Sequence, residues 1–88
     1  MNIAVNVERS RVQAVVLDCI RQLVPTLQDH TFKQGDSLAA LGMNSMERVE
    51  IIVDILAALS LRIPMTDTMS ATNLDELIDL LHDRLNRR

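Results

Sequence analysis

A chain of 88 residues can hold one domain with a limited core, and a hydrophobic share of 48% is too high for a disordered tail. Phe32 is the only aromatic side chain, so a base-stacking platform cannot be built, and a net charge of −3 opposes binding to nucleic acid or to an anionic membrane. Cys19 is the only cysteine, which excludes an internal disulfide and a cysteine-based metal site and fits a reducing cytoplasm. Residues 1–7 lack the basic region and apolar run of a secretory signal, and no apolar stretch approaches the length of a membrane span. Met1 and the charged ending from Arg84 to Arg88 point to a free-standing protein.

The first expected helix covers about residues 7–24. Val12, Val15, Cys19, Ile20 and Leu23 recur at helical spacing, and Pro25 ends the segment because proline disfavours helix at the residue before it. Cys19 lies in this apolar stripe and reads as a core residue. Residues 25–44 then form a long connection without sustained period, pinned by Phe32, Leu38 and Leu41. Connections of that length inside a small domain are often functional. Within it, residues 36–42 resemble one helical turn, with a capping residue before it and Gly42 as its stop.

The second helix is expected over residues 45–60. Val49, Ile52, Val53, Leu56 and Leu59 form its main stripe, and Met46, Ile51 and Ile55 widen the apolar surface over most of the circumference. Pro64 breaks the next connection, and a short third helix is expected over 66–70. The last helix is expected over 74–85, with Leu74, Leu77, Ile78, Leu81 and Leu85 on one face. Two capping pairs compete at its start, Asn73 with Glu76 and Thr72 with Asp75. The pattern as a whole predicts an all-α fold: a four-helix bundle, residues 1–88, with a long first loop and a short third helix.

The most informative residues lie where the second helix begins. Gly42 ends the preceding turn, Asn44 is a good N-cap, and Glu47 stands three positions on, where its carboxylate can accept from the Asn44 backbone N–H. With Asn44 as the cap, Ser45 is left at the first helical position with its hydroxyl free to face solvent. Helix starts carry unpaired N–H groups and partial positive charge, so this serine could anchor a phosphate ester without burying a charge. A serine that is only a cap or a neutral surface residue is the competing reading.

Leu41-Gly42, then Asn44-Ser45-Met46, then Val49-Glu50, with Asp36-Ser37-Leu38 upstream and Ile63-Pro64 downstream, resemble the attachment region of acyl carrier proteins. In that family Asp-Ser-Leu follows Leu-Gly and opens a helix that continues through Val-Glu. The resemblance extends over about residues 12–85. It implies a non-catalytic four-helix carrier bearing covalent 4'-phosphopantetheine on Ser45, with acyl groups held as thioesters in polyketide or fatty-acid biosynthesis. The implied partners are a phosphopantetheinyl transferase, an acyl-loading enzyme and a ketosynthase or hydroxymethylglutaryl-synthase-like enzyme, with the carrier a cytoplasmic monomer.

Two departures stand out: Asn44 replaces the usual aspartate and Met46 the usual leucine. The acidic residues of the second helix are concentrated at Glu47, Glu50 and Asp54, with Arg48 among them. Spaced by three and four, these carboxylates share a face and suit docking on basic enzyme surfaces, where charge sets encounter rate and orientation. An ordinary solvated face is the alternative. Asn44, Met46 and Arg48 flank the serine and join the docking set. The Asn44-Ser45 pair followed by Glu47-Arg48 resembles carriers that donate acetyl to a hydroxymethylglutaryl-synthase-like enzyme for β-branching; a neutral substitution in an elongating carrier is the other reading of Asn44.

Other classes have less behind them. His30 falls in a loop and His82 on the last helix, both read as surface residues, and so small a bundle gives no scaffold for a serine–histidine triad. No His, Cys and carboxylate cluster has metal-ligand spacing. A peptidyl carrier is disfavoured because Met43 and Asn44 stand where that family usually has glycine and histidine. The alternative from another class is an unmodified helical docking module that uses Met46, Ile51 and Ile55 as its contact patch.

Overall fold

The computed structural model describes residues 7–87; residues 1–6 and 88, including most of the segment inspected above for a secretory signal, lie outside the described residues. Four α-helices follow one another: α1 Arg9–Leu23, α2 Ser45–Ala58, α3 Met65–Thr68 and α4 Leu74–Leu85. A 3₁₀ turn over Pro25–Leu27, not expected from the sequence, begins the long connection between α1 and α2. Proline is pre-set for such a first turn, since it needs no N–H there. The described residues contain no strand, and the fold is an all-α four-helix bundle with a short third helix.

The core is built by three aliphatic faces. From α1 come Val12, Val16 and Ile20, all fully buried; from α2 come Ile51, Ile52 and Ile55; from α4 come Leu74, Leu77, Ile78, Leu81 and Leu85. The α4 face is the one its periodicity describes. The α1 face is turned slightly from the expected stripe: Val16 is buried, Val15 and Cys19 are half-buried, and Leu23 is exposed. The spacing of four from Val12 through Val16 to Ile20 puts those side chains one above another.

In α2 the correction is larger. Val49 is 40% and Val53 48% exposed, whereas Ile51 and Ile55 are 2% and 0% exposed. A helix apolar nearly all round does not declare its inner face by period. Here the face turned to the core, against α1, takes the isoleucines and leaves the valines outside. α2 also ends earlier than expected, at Ala58. The Ser60 N–H donates to the Ala57 carbonyl, the Leu61 N–H donates to that of Leu56, and Ser60 adopts a φ of 51°. This is a Schellman ending with serine in the place glycine usually takes, and Leu61 just beyond it is buried.

The long connection is held at several points. Leu38 is buried, and Phe32 and Leu41 pack against the core. The Ser37 hydroxyl accepts from the Ala40 N–H, and the Met43 N–H donates to the Leu38 carbonyl across Gly42, whose φ of 97° suits glycine. Met43 itself is buried. The Leu74 N–H donates to the Asp36 carbonyl at 2.8 Å, which ties the loop to the start of α4. Arg21 from α1 lies over the Phe32 ring, 4.9 Å from its centre, and the His30 ring meets the same phenyl edge-on.

At the far end, Asn86 clamps the start of the described chain. Its side chain accepts from the Val7 N–H and donates to the Val7 carbonyl. Arg9 pairs with Asp79 and Asp75 of α4, and Arg84 of α4 pairs with Asp67 of α3. α3 covers Met65–Thr68, starting one residue and ending two residues before the expected 66–70, and its buried Thr68 hydroxyl donates to the Met65 carbonyl at 2.6 Å.

Candidate functional site: the opening of α2

Ser45 is the first residue of α2 and is exposed. The capping work is done on either side of it. The Asn44 side-chain oxygen accepts from the Glu47 N–H at 2.8 Å, and the Glu47 carboxylate accepts from the Asn44 N–H at 3.0 Å. Both halves of the box form, so Ser45 has no cap to supply. The sequence reading left its hydroxyl free, whereas in the structure Oγ accepts a hydrogen bond from Arg48 Nη2 at 3.3 Å, one turn along the helix.

Beside Ser45 a groove of about 360 Å³ runs between α2 and the segment from α3 to the start of α4. Leu38, Val49, Ile52 and Leu77 line it with apolar side chains, and Met69, Ser45 and Arg48 line it as well. Thr68, Met69 and Ala71 were not marked by the sequence. They belong to a short, weakly periodic segment, and only its position against α2 gives them a place at the site.

Along α2, Glu47, Glu50 and Asp54 are all exposed, and none has an ion-pair partner among the described residues. Met46, 73% exposed, and the half-open Val49 and Val53 interleave with them. The outer surface of α2 is thus mixed, with carboxylates among apolar side chains. The contact patch imagined for an unmodified docking module does not exist as such, because Ile51 and Ile55 are core residues and only Met46 of the three is exposed.

The remaining titratable groups lie elsewhere. His30 is not a plain surface residue: its Nε2 lies 3.0 Å from Asp36 Oδ2 and its ring packs on Phe32. Asp36 also accepts from the Lys33 N–H; that bond, followed by the one with His30, holds its carboxyl below the usual carboxylate range. Glu76 is likewise lowered, by the Thr72 N–H and then the Thr72 hydroxyl. The α4 start therefore mixes the two expected capping pairs: Asn73 caps the Glu76 N–H, while the Glu76 carboxylate reaches back to Thr72. His82 is half-buried on α4. Cys19 packs against the core, and burial foremost pushes its thiol up, the opposite of an activated nucleophile. Among the described residues no group of three His, Cys or carboxylate side chains is placed to hold a metal ion. No helix among them is long and apolar enough to cross a membrane.

The opening of α2 fits a phosphodiester-linked group. An exposed hydroxyl with no capping duty lies at a helix N-terminus, a guanidinium stands beside it, and an open groove leads away. Comparison with known proteins agrees with this chemistry. Residues 14–81 match the phosphopantetheine attachment site family. The polyketide biosynthesis acyl-carrier-protein AcpK of Bacillus subtilis (strain 168) is 35% identical over 78 residues, 89% of this chain and 95% of that protein. A chain in the crystal structure of the curacin biosynthetic pathway HMG synthase in complex with acetyl donor-ACP superposes with a TM-score of 0.82 at 34% identity. It covers 88% of this chain and 99% of that one. The chain belongs to the acyl carrier proteins, small helical proteins of the phosphopantetheine-binding family that carry 4'-phosphopantetheine on a serine.

Proposed function

We propose that this protein carries acyl groups in polyketide biosynthesis on an arm attached to Ser45, and that it donates acetyl to a hydroxymethylglutaryl-synthase-like enzyme. The observation that carries the attachment is the division of labour at the start of α2: Asn44 and Glu47 close the capping box, which leaves the exposed Ser45 hydroxyl available to a transferase. The phosphopantetheine arm supplies a terminal thiol that holds acyl groups as thioesters. The chain's own residues do the rest. Backbone N–H groups of the first turn of α2 favour the phosphate's charge. Glu47, Glu50 and Asp54 steer the carrier toward basic client surfaces, and Met46 with Val49 and Val53 gives those clients apolar contact. On this reading the protein is a monomeric, cytoplasmic carrier and not an enzyme, with a phosphopantetheinyl transferase and an acyl-loading enzyme as its other partners.

The acetyl-donor role is supported by two things. The superposing crystal structure is a donor carrier with its synthase. The charge pattern around Ser45 also departs from the usual one, since an amide stands at position 44 and a guanidinium at position 48. Discrimination of this kind needs features that repel the wrong client as well as attract the right one. The experiment loads the arm-bearing protein with acetyl and offers it to a branching synthase and, separately, to an elongating ketosynthase. Selective transfer to the synthase, weakened in Asn44→Asp or Arg48→Glu, is expected. Efficient elongation with no transfer to the synthase would reject the donor role and leave an ordinary polyketide or fatty-acid carrier.

A further inference from the structure

We infer that Arg48 is a positioning residue for the arm: its guanidinium pairs in cis with the phosphodiester on Ser45 and biases the arm toward the groove between α2 and α3. The inference rests on Ser45 being the attachment residue. Arg48 Nη2 already lies 3.3 Å from Ser45 Oγ. That oxygen becomes the ester oxygen of the phosphodiester, so the non-bridging oxygens come within reach of the guanidinium by a small side-chain rotation. The charge is not committed elsewhere. Among the described residues Arg48 has no carboxylate within ion-pair distance, and its neighbour Glu47 spends its carboxylate on the capping box.

Direction follows from where Arg48 stands. It lines the groove together with Ser45, Val49 and Thr68. A phosphate held by Arg48 therefore sets the first bonds of the arm over that groove. Arginine suits the task because its fork can give two parallel N–H bonds to one phosphate. Asn44 acts in the same sense by keeping a further carboxylate away from the phosphate. The pair is exposed to solvent, so its bias is modest, roughly twofold to fivefold in the population of the groove-side arm, and it is screened by salt.

The test uses the arm-bearing parent, Arg48→Gln and Arg48→Lys, each confirmed to carry one arm by intact mass. Phosphorus NMR reads the phosphodiester, and nuclear Overhauser contacts read the arm against Thr68, Met69 and Ala71. At low salt the parent is expected to show a phosphorus resonance displaced from that of Arg48→Gln, and stronger arm contacts with those residues. Both differences should shrink at high salt, and Arg48→Lys should restore the charge effect in part. Identical phosphorus resonances and arm contacts in parent and Arg48→Gln at low salt overturn the inference while attachment at Ser45 stands. An arm on Ser45→Ala, by contrast, overturns the attachment and the inference with it.

Discussion

Ser45 owes its availability to its neighbours. At a helix start the side chain best placed to accept from the first-turn N–H groups is normally consumed by capping, and here Asn44 takes that position. Two substitutions separate the roles. Ser45→Ala should leave the thermal midpoint nearly unchanged, because it removes no cap. Asn44→Ala should cost about 0.5–2 kcal/mol in denaturant unfolding, the range for a lost N-cap. A large destabilisation by Ser45→Ala with none by Asn44→Ala would reverse the assignment. This part of the site was legible in the sequence, since a capping box is a local pattern of side chain and backbone. The Arg48 bond to Ser45 was not read, because its three-residue spacing is common on helices and marks a contact only when the rotamers meet.

α2 serves the core with one side and the exterior with the other, and its residues should divide accordingly. Ile55, fully buried, should cost about 2–5 kcal/mol when truncated to alanine. Val49→Ala should change stability by only about 0.5 kcal/mol, as surface positions do, and should show its effect in client binding instead. Chemical denaturation of the two variants checks the division, and equal losses would refute it. For the carboxylates, Glu50→Lys should slow association with a basic client and flatten its salt dependence, with little change in dissociation. Stopped-flow rates at low and high salt give the measurement; unchanged rates with every client at low salt would remove the docking role. Which side of α2 is inner could not be read from its sequence, because apolar residues stand on both sides, with Val49 and Val53 outside and Ile51 and Ile55 inside. α4 was readable, since its apolar residues occupy a single face and its polar ones the other. α1 fell between them: its inner line is Val12, Val16 and Ile20, a spacing of four present in the sequence beside a second apolar line through Val15 and Cys19.

Across the whole molecule, polar ties fasten the loop and helix ends around an aliphatic core, and two of them depend on carboxylates held in their charged form. Asp36 and Glu76 both have lowered values in the folded protein. A lowered folded-state value means the contribution is fully present above the ordinary carboxylate range and is lost as pH falls through the folded value. Stability should therefore hold from neutral pH down to that range and then decline on acidification. Asp36→Asn should flatten the decline in thermal midpoint measured against pH; an unaltered acid profile would show that the loop tie is not linked to the titration. The four-helix order and the long first loop could be read from period, proline and glycine. The ties that shape that loop, from Leu74 to Asp36 and from Arg21 to Phe32, join residues far apart in sequence and follow no local pattern. The proposed function requires that this bundle present one serine, Ser45, for a covalent arm. The most direct measurement incubates parent and Ser45→Ala with coenzyme A, magnesium and a broad-range phosphopantetheinyl transferase, then reads intact mass and maps the modified residue by fragmentation. One added arm is expected on Ser45 of the parent and none on a Ser45→Ala protein that keeps the parent's circular dichroism spectrum. Full modification of Ser45→Ala, or a folded parent left unmodified beside a control carrier that is loaded, would contradict it.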